Sequence, residues 1–205
     1  TGELNGEVRF GMIATIAQGV LVDALLEFSS AHPKVELSMT DGFSGDLIDA
    51  VALGQLDAAV INKPRRALTL KSETIADEDL LLVMGPAHAD VPASLRFSGM
   101  SALKLVFPTR RHGLRGIIEN FAEAEDVHLS PSLEIDSISA ILKLVRESDF
   151  CTLLPHVAVR GLLERAEVKV HRFVSPRLRR QIVAVTDPSR PLNPAAAAFL
   201  SVLRR

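Results

Sequence analysis

One basic segment of the chain, residues 108–115, has the sequence PTRRHGLR. It contains Arg110, Arg111, His112 and Arg115, and it lies between an apolar, strand-like stretch and a helical pattern. A guanidinium group binds carboxylate, sulfate or phosphate through paired hydrogen bonds. The pattern therefore indicates an anion-binding turn between a strand and a helix. A solvated run of charges, or a salt bridge between subunits, explains it equally well.

A second candidate lies at residues 15–19, TIAQG, where the first predicted strand meets the first predicted helix. The start of a helix carries unsatisfied N–H groups and about half a positive charge, which together favour an anion. Thr15 and Gln18 add side-chain donors. Taken alone, an ordinary helix start without a ligand is the better explanation, because nearly every helix has such an end. The basic turn also lies between a predicted strand and a predicted helix. Because ligands of parallel sheets bind at the carboxyl ends of strands, this shared position strengthens both candidates.

Other kinds of chemistry have little support. The chain has no His/Cys cluster at metal-ligand spacing, no Gly-x-Ser-x-Gly, and no P-loop or Rossmann glycine pattern. Its histidines are scattered and are expected at surface or capping positions. Cys151, the single cysteine, lies in an apolar stretch typical of a buried, inert thiol. We therefore expect no catalytic residues, no metal and no cofactor.

Composition narrows the class of protein further. The 205 residues carry a net charge of −2 and are 47% hydrophobic, as in an ordinary globular protein. The lack of a basic excess, of Trp and of Tyr argues against direct nucleic-acid binding by this chain. No apolar run reaches the roughly 20 residues of a membrane helix, and the N-terminus does not resemble a signal peptide.

Hydrophobic periodicity predicts alternating strands and helices in two stretches of the chain. In the first, Ser44 is expected to cap the second helix and Gly54 to end it. The predicted strands are at 7–13, 35–40, 57–61, 68–75, 80–84, 103–107, 133–135, 150–154 and 181–186. The predicted helices are at 17–31, 44–53, 113–125, from 136 or 137, at 157–165, and after Asn193-Pro194. This rhythm predicts an α/β fold with parallel strand pairs and helices on the sheet faces.

Four segments resemble the effector-binding domain of a LysR-type transcriptional regulator, from about Gly6 to the C-terminus. They are GEVRFG at 6–11, FSSAHPKVEL at 28–37, LGQLDAAV at 53–60 and LVRESDFCTLLP at 144–155. The Phe-x4-Pro-x-Val and Gly-x-Leu-Asp stretches are fairly specific to that family. The family usually has Gly-x-Gly where this chain has residues 147–149, ESD, so the local turn is expected to differ.

The resemblance implies a two-lobed, type 2 periplasmic-binding-protein-like fold. Two βαβ lobes would be joined by two crossover strands, near Leu80 and Gln181. Lobe I would comprise residues 1–79 and 181–205, and lobe II the inserted residues 80–180.

The same resemblance implies a small effector in the cleft between the lobes, and we expect a small organic anion there. The positions that match the family's effector contacts are Thr15, Ile16, Ala17, Gln18, Thr109, Arg110, Arg111 and Ser137. Only one of Arg110 and Arg111 is expected to face the cleft. Ile16 and Ala17 make the site apolar enough to favour an organic acid over a hydrated inorganic anion.

As a whole, the resemblance implies a cytoplasmic bacterial transcription factor that forms a homodimer or homotetramer. It would contact DNA only through an N-terminal winged helix-turn-helix domain, absent from this chain, and would not contact a membrane. One alternative is a periplasmic solute-binding protein of an uptake system, which shares the fold. Another is an enzyme on the same fold, although no acid/base pair supports it.

Overall fold

The structure is a computed structural model and describes residues 4–204. The chain divides into two compact units: unit 1 runs to Asp77 and resumes at Gln181, and unit 2 is Glu78–Arg180. The strands are β1 (Gly6–Met12), β2 (Val35–Asp41), β3 (Ala58–Asn62), β4 (Lys71–Met84), β5 (Val106–Phe107), β6 (Leu133–Glu134), β7 (Cys151–Pro155), β8 (Lys169–His171) and β9 (Arg179–Thr186). The helices are α1 (Ala14–Ala31), α2 (Ser44–Ala52), α3 (Gly113–Ala124), α4 (Ile138–Glu147), α5 (His156–Glu164) and α6 (Pro194–Leu203), with a 3-10 turn at Phe97–Ala102.

The sheet of unit 1 is built around β1. Strand β1 pairs in parallel with β2, starting at Gly6 opposite Val35, and in parallel with β3. Strand β9 pairs antiparallel with β3. Because β1, β2 and β3 are parallel, their carboxyl ends, each followed by a turn into the next element, lie at one edge of this sheet.

Three phenylalanines hold the helices of unit 1 against its sheet. Phe199 of α6 contacts Phe10 of β1 at 5.1 Å and Phe28 of α1 at 5.3 Å between ring centroids, both edge to face. All three side chains are fully buried. Edge-to-face pairs of this kind add about 0.5–1.5 kcal/mol beyond the area they bury.

Unit 2 combines a short parallel pair with an antiparallel group. Strands β5 and β6 are parallel, whereas β7 and β8 both pair antiparallel with β4. Helix α4 buries the stripe Ile138, Ile141, Leu142 and Val145. As in unit 1, each strand of the parallel pair is followed by a helix start at its carboxyl end.

Three predicted boundaries are wrong. The two strands predicted at 68–75 and 80–84 are one continuous strand, β4, because the acidic residues between them have arginine partners: Glu78 pairs with Arg180 and Asp79 with Arg177. Helix α1 begins three residues earlier than predicted, at Ala14. The strand predicted at 103–107 shortens to Val106–Phe107, and Leu105 makes only an isolated bridge with Cys151.

Across residues 4–204, no helix combines the length and the apolar character needed to cross a membrane. The same residues contain no group of three or more His, Cys, Asp or Glu side chains arranged to hold a metal ion.

Candidate functional site

The start of helix α1 follows β1 directly, at the carboxyl edge of the unit 1 sheet. Ile13 occupies the N-cap position without a side-chain cap, and its carbonyl accepts hydrogen bonds from the N–H groups of Ile16 and Ala17, both at 3.0 Å. The helix therefore uses the N–H groups of Ile16 and Ala17, and its first turn begins at Ala14, three residues earlier than predicted.

The four site residues predicted in this segment have different environments. The Thr15 side chain is fully buried, and Thr15 has a bonding partner in the structure. Ile16 and Ala17 are partly buried and pack against the core of unit 1. Gln18 is exposed. Of the four, Gln18 has the side chain best placed to reach a ligand in solution.

Ser44, predicted only as a helix cap, is an unexpected polar group at this edge. Phe43 takes the N-cap position, and Ser44 is the first residue of α2. The Gly42 N–H donates to the Met12 carbonyl at 3.3 Å, so α2 starts beside the end of β1. The Ser44 hydroxyl is buried and has no hydrogen-bond partner among the described residues. An unsatisfied buried hydroxyl costs about 1–3 kcal/mol.

In unit 2, Asp136 joins the two turns that follow β5 and β6. Its Oδ1 accepts hydrogen bonds from the Thr109 backbone N–H at 3.1 Å and from Thr109 Oγ1 at 2.5 Å. The next residue, Ser137, is exposed and caps α4 by accepting from the Ala140 N–H at 3.3 Å. The structure thus brings the predicted residues Thr109 and Ser137 to one edge. It also places between them the Asp136 carboxylate, which is not among the predicted site residues.

His112 caps α3 from a buried position. Its Nδ1 accepts a hydrogen bond from the Leu114 N–H at 3.2 Å, and only 4% of the residue is exposed. Burial lowers its pKa, with a further lowering by Arg180, while the Asp136 carboxylate acts in the opposite direction. An acceptor Nδ1 and a lowered pKa both indicate a neutral imidazole. The predicted capping role is confirmed, and a surface position is excluded.

The arginines of the basic turn are mostly committed to partners within unit 2. Arg115 is buried, and it donates to Glu119 at 2.9 Å, to Glu134 at 2.8 Å and to the Pro108 carbonyl at 2.9 Å. Arg110 is 79% exposed and lies 3.4 Å from the Glu119 carboxylate. Arg111 is exposed and also has a partner. Arg115 is thus a structural residue, and any ligand contact by an arginine of this turn falls to Arg110 or Arg111.

Cys151 is not a reactive thiol. It is fully buried on β7, and its Sγ lies 3.3 Å from His88 Nε2. Burial, assisted by the negative charge of Asp149, raises its pKa to about 11. At neutral pH the thiolate, which is the nucleophilic form, is therefore scarce.

The two-unit α/β architecture, with helix starts at the carboxyl ends of parallel strands, is that of a periplasmic-binding-protein-like fold. The reduced regulatory domain of OxyR2 from Vibrio vulnificus matches all of this chain and 97% of its own with a TM-score of 0.84, at 18% identity. The effector-binding domain of QuiR in complex with shikimate matches 98% of this chain and 97% of its own with a TM-score of 0.82, also at 18% identity. These likenesses show the fold.

The family follows from the sequence comparison. The family model of the LysR substrate binding domain matches residues 1–205, and the chain belongs to this family. The transcriptional regulator EstR of Acinetobacter baylyi is 24% identical over 203 residues, covering 98% of this chain and 67% of EstR. YofA of Bacillus velezensis is 25% identical, covering 84% of this chain and 58% of YofA. The chain therefore spans about three fifths to two thirds of these relatives, both of which are transcriptional regulators of the helix-turn-helix type.

Proposed function

We propose that this chain is the ligand-sensing part of a LysR-type transcription factor and that a small hydroxylated organic acid binds at the carboxyl ends of its parallel strands. The observation that carries the proposal is the buried Ser44 hydroxyl, which has no partner among the described residues. Most buried hydroxyl groups in proteins are hydrogen-bonded, so an exception at a strand-end edge favours a ligand contact.

In unit 1 the proposed contacts are Ser44, Gln18 and the first turn of α1. The positive end of the helix favours a carboxylate, and the Ser44 hydroxyl can donate one further hydrogen bond. The apolar neighbours Ile16 and Ala17 suit the carbon skeleton of an organic acid. These features support the expected negative charge of the effector on this side.

In unit 2 the proposed contacts are Asp136, Ser137, Thr109 and one of the two exposed arginines. The Thr109 hydroxyl already donates to Asp136, so it offers a ligand lone pairs instead of a proton. The Asp136 carboxylate repels an anionic group and attracts a hydroxyl or ammonium group. An effector that carries hydroxyl groups therefore suits this edge, and shikimate, the ligand bound to QuiR, has hydroxyl groups.

The experiment is calorimetric titration of a panel of hydroxylated acids, with shikimate as the first probe. Ser44→Ala is expected to weaken binding of any acid found about 5- to 150-fold, as removal of one buried hydrogen bond of about 1–3 kcal/mol predicts. Ser38→Ala, on an exposed position of β2, is the matched control and should bind as wild type does. Equal binding by Ser44→Ala and wild type would place the effector elsewhere.

At the level of the whole regulator, we propose that effector binding controls DNA binding through a winged helix-turn-helix domain of the full-length protein. The curated relatives are longer than this chain and carry names of helix-turn-helix type regulators, which supports this proposal. This chain alone, at a net charge of −2, is expected to bind duplex DNA only non-specifically. Sequence-selective binding by the isolated chain in a shift assay would contradict this.

Ligand sensing has better support than thiol sensing. OxyR2 was solved in a form described as reduced, but this chain contains one cysteine and cannot form an internal disulfide. Its thiol is fully buried with a pKa of about 11. Both observations oppose oxidation at Cys151 as the signal.

We also propose self-association through the outer face of α1. Val22 and Leu26 are 65% and 68% exposed and, four residues apart, share one face of the helix. On α5, by contrast, Val159 is fully buried in unit 2. The apolar surface of α1 is therefore the stronger support for a dimer.

A further inference from the structure

Unit 1 contains a half-open groove that has no residue in common with the proposed effector contacts. Its cavity volume is about 310 Å³. Three elements form its walls: the beginning of β4, the end of β9 and the outer part of α6. The lining residues that carry the argument are Lys71, Glu73, Thr186, Asp187, Ala197 and Arg204.

The lining residues face the groove because the periodicity of each strand and helix puts them on one face of that element. Lys71 and Glu73 are two apart on β4, and so are Ala184 and Thr186 on β9, so each pair shares one face of its strand. On α6 the lining residues Ala197, Leu200, Ser201 and Arg204 recur at helical spacing and form one stripe. Ala184 and Ala197 are small, which leaves the space between strand and helix unfilled, and Leu192 and Leu200 make the remaining floor apolar.

The rim of the groove has one uncompensated positive charge. Arg204 Nη2 lies 2.6 Å from Glu73 Oε2, and Arg190 Nη2 lies 2.7 Å from Asp187 Oδ2. These two pairs are neutral. Lys71 makes no ion pair and no side-chain hydrogen bond with any of residues 4–204. The groove therefore combines an apolar floor with a net charge of +1.

We propose that this groove is a second ligand site, which takes a small amphipathic monocarboxylate. The carboxylate would pair with the Lys71 ammonium group and accept a hydrogen bond from the Thr186 hydroxyl. The hydrocarbon body would lie on Ala184, Leu192, Ala197 and Leu200. A polyanion is disfavoured by Glu73 and Asp187, and a cation by Lys71, so a single negative charge matches the rim best.

The site is independent of the proposed effector site. The groove is not lined by Gln18, Ser44, Thr109 or Asp136. Binding at each site can therefore be measured separately, with variants that leave the other site unchanged.

The test is a ¹H–¹⁵N NMR titration of this chain with sodium hexanoate, with 1-hexanol as the uncharged analogue of the same body length. Hexanoate is expected to shift the amide signals of Lys71, Thr186 and Ala197 and their neighbours. Lys71→Gln should weaken hexanoate binding about three- to tenfold, as loss of one partly solvated charge contact predicts, and leave the weaker hexanol binding unchanged. Lys143→Gln, which removes an exposed lysine from unit 2, is the matched control and should bind hexanoate as wild type does.

A second variant tests the space in the groove without changing its charge. Ala197→Leu keeps a strong helix former on α6 and places three further carbon atoms in the cavity, so hexanoate shifts at the groove should disappear. Unchanged signals from the rest of unit 1 would report an intact fold. The proposal is overturned if the hexanoate shifts map elsewhere, or if Lys71→Gln and Lys143→Gln bind hexanoate equally. It is also overturned if hexanol binds as tightly as hexanoate.

Discussion

Asp136 and Thr109, 27 residues apart in the chain, are joined by two hydrogen bonds to a single carboxylate oxygen, from the Thr109 N–H and the Thr109 hydroxyl. This pair fastens the turn after β5 to the turn after β6. Since both turns lead into helices, the bond also sets where α3 and α4 begin relative to each other. A residue predicted as a ligand donor is thus first a structural link within unit 2.

We expect Thr109→Val to destabilise the chain by about 1–2 kcal/mol, because a partly buried carboxylate loses a charge-assisted donor. Thr109→Ser keeps the hydroxyl and should cost less than half as much. The measurement is the free energy of unfolding in urea. Equal destabilisation by the two variants would show that the methyl group, and not the hydrogen bond, matters.

Arg115 and Arg110 provide a matched comparison within the basic turn. Both contact Glu119, but the Arg115 side chain is 4% exposed and the Arg110 side chain 79%. Replacing the buried arginine, Arg115→Met, should destabilise unit 2 by about 2–4 kcal/mol, because Glu119, Glu134 and the Pro108 carbonyl all lose a donor. Arg110→Met should change stability by about 0.5 kcal/mol or less. Urea unfolding of both variants checks this, and a similar small loss for each would contradict the buried network.

Features that depend on neighbours in sequence were predictable. The last helix is predicted after Asn193-Pro194, and in the structure Asn193 caps α6, where its side chain accepts from the Ala195 N–H at 2.9 Å. Gly54 was expected to end α2, and its φ of +74° is the left-handed conformation that glycine adopts most easily. Each of these involves atoms two or three residues apart, so local propensity decides them.

Features that depend on distant partners were not predictable. The acidic run at the centre of β4 resembles a turn until Arg177 and Arg180, about 100 residues later, provide its counter-ions. Ser44 resembles a helix cap until the preceding residue is found in that position. Gln18 is exposed and Arg115 is buried in a hydrogen-bond network, and neither could be predicted. Residue type and spacing do not indicate which side chains near a turn are buried.

The lowered pKa of Asp79 leads to a prediction of how the stability of unit 2 depends on pH. Its hydrogen bonds to Arg177, with the charges of Arg177, Arg172 and Arg179, lower its pKa below the ordinary value of 3.8, although burial opposes the shift. A carboxylate with a lowered pKa in the folded state adds stability above pH 3.8, and that stability disappears as the pH falls through the lower, folded-state pKa. Asp79→Asn should therefore be less stable at pH 7 and lose less stability between pH 5 and pH 2 than wild type.

The measurement for Asp79 is urea unfolding at several pH values. Asp90→Asn is a suitable control, because Asp90 pairs with Lys169 at an exposed position of the same unit. Its effect on the pH profile should be small, since an exposed pair contributes little to stability. Parallel pH profiles for Asp79→Asn and wild type would contradict the assigned role of the arginines.

The apolar face of α1 leads to a prediction about association. Leu26→Asp should shift the chain towards monomer, because burying an unpaired carboxylate in an apolar interface is unfavourable, while its exposed position leaves folding intact. Leu53→Asp is the matched control, since Leu53 is 71% exposed in the same unit but lies on the loop after α2. Sedimentation velocity at tens of micromolar should show a dimer for wild type and Leu53→Asp and a monomer for Leu26→Asp. A monomeric wild type would contradict self-association, and a dimer that tolerates the Leu26 change would place the interface away from α1.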